Sequence, residues 1–253
     1  MSAVSVRPLP ENAGLAYVGE RSWRGGALQP GQARALWTTA NASGRPNSDV
    51  LRCFLGVGRE GLEEHWQIDF PPFLTAPEAA LYAGPFGLLE QRPGSRAPAG
   101  WWDNPYRQDS LRTAVARLER YCAAPRTWPV PHWSWIESAW LPDDTLLAVA
   151  RDDDFTAGVL RSRLFIGWWQ ALGPPHPTAL VVEAFPFPWA PGTSLSALTG
   201  LQQDLRFSVA RAARGEDQAE LDRAVATAYG WPAELDAAEL PGRLYELNRR
   251  RAG

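Results

Sequence analysis

The sequence predicts an α+β fold: a mixed sheet packed with helices over residues 1–189, then a small all-helical segment over 190–253. Three observations lead there. Strand-like and helix-like stretches are interspersed without the strand–helix alternation of a doubly wound sheet. The run Phe185-Pro186-Phe187-Pro188-Trp189-Ala190-Pro191-Gly192 can continue neither a helix nor a central strand, because proline fixes φ and has no amide donor. Beyond it the pattern to Arg251 is helical.

Taken in order, Ala33 to Ala40 reads as a short helix after a Pro30-Gly31 break. Val50 to Leu55 reads as a strand or a helix end, and Trp66-Gln67-Ile68-Asp69-Phe70 alternates as a half-buried strand, ended by Pro71-Pro72. Thr75 with Glu78 three residues on makes a capping box for a helix through about Tyr82. After a Pro- and Gly-rich stretch from Pro93 to Gly100, Asp109 or Ser110 opens a helix. Leu111, Val115, Leu118 and Cys122 recur in it at helical spacing. Leu146 to Ala150 and Ala179 to Val182 read as buried strands. Thr193 or Ser194 caps the first helix of the C-terminal segment. Leu221, Val225 and Ala228 share one face of a later helix that Gly230 and Pro232 stop.

The composition excludes several classes. Apolar residues make up 45% and charged residues 21%, ordinary values for a globular protein, and no apolar run nears the roughly 20 residues of a membrane span. The N-terminus has no apolar core of signal-peptide length, so a cytoplasmic location is expected. All 25 basic residues are Arg, the better residue for bidentate contacts to phosphate or guanine. A net charge of −3 argues against indiscriminate coating of nucleic acid and leaves room for a limited DNA-binding surface. Cys53, Cys122, His65, His132 and His176 are scattered without zinc-ligand spacing, and both cysteines read as buried thiols.

Three short patterns imitate active sites. Gly56-Val57-Gly58-Arg59-Glu60-Gly61 fits the dinucleotide pattern, but a strand follows it where a helix is required, so it reads as a surface turn. Asp103-Asn104-Pro105-Tyr106 resembles the catalytic motif of amino methyltransferases with one proline missing. No Gly-rich cofactor strand precedes it, and a bent loop is the preferred reading. Asp152-Asp153-Asp154 reads as a solvated acidic turn or a helix cap rather than a metal site. With no nucleophile elbow and no P-loop, no catalytic or metal-binding residues are assigned.

The most basic window runs from Arg92 to Arg126, with seven Arg (92, 96, 107, 112, 117, 120 and 126) against Asp103, Asp109 and Glu119. Trp101, Trp102 and Tyr106 are interleaved with it. Such a window suits phosphate contact, while solvated helix faces and a core Trp pair explain the same composition.

Several stretches together resemble the C-terminal half of MmeI-like (type IIL) restriction–modification enzymes and their methyltransferase relatives. They are Pro8 to Asn12, Trp66 to Phe70, Ala79 to Phe86, Trp101-Trp102, and Ala124-Pro125-Arg126. The series continues with Ala150 to Phe155, Gly158-Val159-Leu160, Ser162-Arg163 and Phe185-Pro186-Phe187-Pro188. Leu221 to Val225, Ala228 to Pro232 and Leu247 to Arg250 resemble that family's helical end. The resemblance implies a target-recognition domain plus helical C-terminal domain that grips double-stranded DNA and positions an adenine for flipping. Catalysis and S-adenosylmethionine would then belong to a separately encoded methyltransferase or nuclease subunit, with no cofactor in this chain.

In that family the base-reading residues lie in a loop between the Ser-Arg and Phe-Pro-x-Pro segments, typically including an Arg-Tyr pair. Here the interval is short, reads Gly173-Pro174-Pro175-His176-Pro177 and lacks Arg. The resemblance leaves Gln170, His176 and Thr178 as base-reading candidates, flanked by Arg161 and Arg163. Arg107, Arg112 and Arg126 are the candidates from the basic window. A truncated remnant that folds without reading DNA is the competing reading.

Overall fold

The computed structural model describes residues 6–92, 102–172, 178–232, 234–236 and 238–253. The fold is α+β, with two four-stranded sheets. In chain order it begins with β1 (Ala16–Val18), β2 (Ala27–Leu28) and α1 (Pro30–Thr38). Pro30-Gly31 opens α1 rather than preceding it: proline costs nothing in a first turn, where its missing amide would have no partner. β3 (Leu51–Val57) and β4 (Leu62–Ile68) follow as a hairpin. Its connection is the Gly56 to Gly61 pattern, closed by the Gly58 amide on the Gly61 carbonyl at 2.7 Å. The Glu78 carboxylate accepts from both the amide and the hydroxyl of Thr75 at 2.8 Å, the capping arrangement read from the sequence. The helix it opens, α2 (Ala76–Ala79), stops well short of Tyr82, and the chain restarts as α3 (Ala83–Glu90). Pro85 has no amide to give the Leu81 carbonyl, which disfavours one continuous helix across this stretch.

α4 (Asp109–Val115) opens where expected but does not reach Cys122, which lies in β5 (Arg120–Pro125). The helical spacing of Leu118 and Cys122 misleads here. Tyr121 to Ala124 are all buried between two neighbouring strands, and a central strand has no polar face to betray its period of two. β6 (Ser134–Glu137), β7 (Leu141–Pro142) and β8 (Leu146–Val149) complete the sheets. α5 (Asp154–Arg161), α6 (Arg163–Leu172) and α7 (Leu180–Glu183) come next. The Ala179 to Val182 run is thus a helical turn instead of a strand. In it the Trp168 indole donates to the Val181 carbonyl at 2.8 Å, and Val181 and Val182 enter the core side by side. α8 (Gly200–Arg214), α9 (Gln218–Ala228) and α10 (Leu240–Arg251) end the chain. Ser194 precedes only a single 3-10 turn; Thr199 caps α8, accepting from the Gln202 amide at 3.3 Å.

The chain divides into two compact units, the first comprising residues 1–18, 113–138 and 145–253, the second 19–112 and 139–144. The first packing unit spans both sides of the expected domain boundary at 189/190. That unit holds the antiparallel sheet β1-β8-β5-β6, with Ala16 and Cys122 both opposite Val149, and helices α5 to α10. α5 packs closely on α8: a Cβ on Gly158 would lie 3.0 Å from Val209 and Ala213.

The Pro-rich segment runs through this unit's core, with Phe185, Phe187 and Trp189 buried. Because it forms neither helix nor strand, its carbonyls depend on side chains. Asn12 donates to the Glu183 and Phe185 carbonyls, Asn248 to Ala184, Tyr229 to Pro186 and Arg251 to Phe187, all at 2.6–3.1 Å.

The second unit holds the mixed sheet β2-β4-β3-β7, in which β3 pairs antiparallel with β4 and parallel with β7. Leu36, Val50, Ile68, Phe70 and Tyr82 form its core. Asn47 donates to the Leu36 and Thr39 carbonyls and ties the end of α1 to the start of β3.

Candidate nucleic-acid interface

Most arginines of the basic window are engaged within the protein. In the second unit Arg112 donates to both carboxylate oxygens of Glu20 at 2.6 Å and to both of Asp69. Glu20 and Asp69 are almost wholly buried. Burial alone would lower the Arg112 pKa; the hydrogen bonds to Glu20 and Asp69 outweigh it and hold the charge more firmly than in water. Arg107 pairs with Asp109 at 2.7 Å and approaches Asp69 at 3.5 Å. Arg92 donates to the carbonyls of Arg24, Gly25 and Ala27. In the first unit Arg120 bridges Asp154 at 2.9 Å and lies over the Trp135 ring at 3.9 Å. Arg96 and Trp101 lie outside the described residues.

The imitation motifs resolve locally. Asn104 buries its side chain and accepts the Tyr106 amide at 3.0 Å, so Asp103 to Tyr106 is a bent loop. Burial pushes the Asp103 carboxyl up. Asp153 caps α5 by accepting the Thr156 amide at 2.9 Å and pairs with Arg151, while Asp154 pairs with Arg120 and Arg214. Among the described residues no three His, Cys, Asp or Glu side chains gather where they could hold a metal. Both thiols are buried and free. Burial, with Glu64 beside it, pushes Cys53 up to about 12, and burial also raises Cys122.

The other candidates occupy the first unit. α6 packs Leu164, Phe165, Trp168 and Trp169 into the core, which fixes the helix firmly. Its other side lines an open groove of about 460 Å³ with Arg163, Ile166, Gly167 and Gln170, facing Leu240 and Pro241 at the start of α10. The spacing of three, four and seven residues puts these four on one helical face. Gln170 is exposed, and a Cβ on Gly167 would meet nothing within 4 Å. The Asp222 carboxylate accepts the Arg163 amide at 2.8 Å at the first turn of α6. Arg161 has its guanidinium on the Ala213 carbonyl at 2.9 Å, near the end of α8. Thr178 is exposed and its carbonyl starts α7. Arg126 is half-buried just past β5, its amide on the Thr145 carbonyl at 2.9 Å. His176 and its loop lie outside the described residues. The fold therefore brings Arg163 and Gln170 into one groove and leaves Arg107 and Arg112 in a separate, self-satisfied cluster.

Sequence reasoning passed over Arg21 and Arg24. The signal available was the run Arg21-Ser22-Trp23-Arg24 followed by two glycines, which lies outside the basic window.

No protein-family profile and no curated protein sequence matches the chain. Among solved structures it is similar to the type IIL restriction–modification enzyme MmeI in complex with DNA, with a TM-score of 0.58 and 13% identity. The match covers 98% of this chain and 36% of that one, so the chain spans about a third of the length of MmeI. The likeness is one of fold. It extends over both units, and function rests on the residues that each unit presents. Among the described residues no helix is long and apolar enough to cross a membrane.

Proposed function

We propose that this chain is the DNA target-recognition part of an adenine-N6 methyltransferase in a restriction–modification system. In this reading it acts in the cytoplasm beside a catalytic domain or subunit that binds S-adenosylmethionine. The observation that carries the reading is the open face of α6. Arg163 and Gln170 lie two turns apart, about 10 Å along the axis, or about three base-pair steps of duplex DNA. Gly167 between them adds no bulk. Arg suits guanine and Gln suits adenine in bidentate contacts, and the major groove admits one helix. The fold-level likeness to MmeI, solved with DNA, supports the same reading.

Selection from a randomised duplex pool, with and without a partner methyltransferase, tests it. An enriched site is expected, and Gly167→Trp, with thermal unfolding as the fold control, should abolish the enrichment by filling the groove, since a Cβ there meets nothing within 4 Å. No enriched site under either condition would sink the proposal. The second reading, a folded remnant that no longer reads DNA, draws on the arginines of the basic window that are neutralised internally. Methylation by the purified chain alone would overturn the assignment of catalysis to a partner.

A further inference from the structure

The second unit carries another open groove, of about 500 Å³, lined by Arg21, Ser22, Trp23, Arg24, Tyr106 and Asp144. Arg21 and Arg24 are exposed, and among the described residues neither forms a salt bridge. The Arg21 guanidinium lies 5.1 Å from the centroid of the Tyr106 ring, a cation–π contact that steadies it and leaves its charge unneutralised. Asp144 is the one carboxylate in the lining, so the groove carries a net charge of about +1 by this simple count.

The loop beneath these arginines is braced. Trp23 donates its amide to the buried Gln67 side chain at 3.0 Å, and the Gly26 amide returns to the Trp23 carbonyl at 3.0 Å. Arg92 ties down the carbonyls of Arg24, Gly25 and Ala27. A Cβ at Gly25 would overlap the Trp23 ring, and one at Gly26 would overlap that ring and the Ile68 carbonyl, so this wrap requires both glycines. The same unit that neutralises Arg107 and Arg112 thus holds Arg21 and Arg24 outward on a rigid support.

We propose that this groove grips the sugar–phosphate backbone of duplex DNA and orients the chain without reading sequence. Exposed Arg with a hydroxyl beside it is the chemistry of backbone contacts, and a preorganised loop loses little entropy on docking. The proposal rests on the reading that the chain binds DNA, and adds an anchoring point independent of α6.

The test measures duplex binding against salt for the wild type, Arg21→Ala/Arg24→Ala and Arg21→Lys/Arg24→Lys, with thermal unfolding as the fold control. The double Ala variant should bind enriched and unrelated duplexes about tenfold more weakly. Its salt slope should be shallower by about two, one for each arginine removed from a phosphate. The ratio between the two duplexes should stay unchanged, and the Lys variant should keep most of the slope. Wild-type affinity and slope in the double Ala variant would overturn this proposal and leave the recognition reading standing. Absence of DNA binding by the wild type would overturn both. Millimolar deoxynucleoside monophosphate should compete poorly with duplex; equal competition at one phosphate's affinity would assign the groove to a free phosphate instead.

Discussion

Arg112 in α4 and Arg163 in α6 both sit in the first turn or two of a short helix, yet their surroundings make them different groups. Arg112 meets Glu20 and Asp69, 92 and 43 residues away in the chain, and its guanidinium is saturated by two buried carboxylates. A phosphate would have to displace partners already in place. Arg163 lines an open groove with Gln170, on a helix whose other side is fixed by Trp168 and Trp169. A window's count of arginines thus says little about charge available to a ligand, because carboxylates distant in the chain can saturate any one of them.

The largest expected effect breaks or confirms that contrast directly. Arg112→Met leaves buried Glu20 without its counter-charge and Asp69 with only Arg107 at 3.5 Å, and unfolding in urea should show a loss of about 3–5 kcal/mol. Its DNA affinity per folded molecule should match wild type. A variant of wild-type stability that no longer binds DNA would reverse the roles given to the two helices. Gln170→Ala should leave the urea midpoint unmoved and relax preference at a single base position by about 1–3 kcal/mol, read by competition with single-base variants of the enriched site.

A smaller effect concerns pH. Burial lowers the His65 pKa below its ordinary 6.5, and nearby Asp143 and Asp144 only partly offset this. The folded protein therefore resists protonation that the unfolded chain accepts. Stability from this group is fully present above about pH 6.5 and is lost as pH falls through the lower folded value. Urea midpoints across pH 7 to about 5 should fall less steeply in His65→Gln than in wild type. The smallest effect belongs to the exposed Arg211–Glu220 pair, 3.2 Å apart on α8 and α9. Arg211→Ala should cost under about 1 kcal/mol, less in high salt, whereas the buried Arg112 cluster should be nearly insensitive to salt.

Much of the local chemistry was legible in the sequence, although the Pro30-Gly31 start of α1 and the Thr199 cap of α8 were not. The Thr75–Glu78 cap, the Asp153 cap, the glycine turn before β4 and the buried Leu146–Val149 strand follow from side chains only a few residues apart. Reading failed where a pattern fitted two structures equally. Leu118 and Cys122 fit a helix until β6 and β8 flank the second, and Val181-Val182 fits a strand until Trp168 claims the Val181 carbonyl. At the candidate interface, Arg163 and Gln170 share a face by spacing alone. The groove they line needed α10 to close its far side.

The α+β class, the short-range caps and turns, and the Arg-rich stretch from Arg92 to Arg126 follow from the amino-acid sequence. Only the tertiary structure decided that the Phe185 to Trp189 run threads a core, because Asn12, Asn248, Tyr229 and Arg251 arrive from distant segments to satisfy its carbonyls. Folding also decided which arginines meet buried carboxylates and which line a groove. A cap or turn closes over a few bonds, so its partners are fixed by local geometry. An ion pair between residues 92 apart exists only once the chain between them has folded, and no local pattern records it.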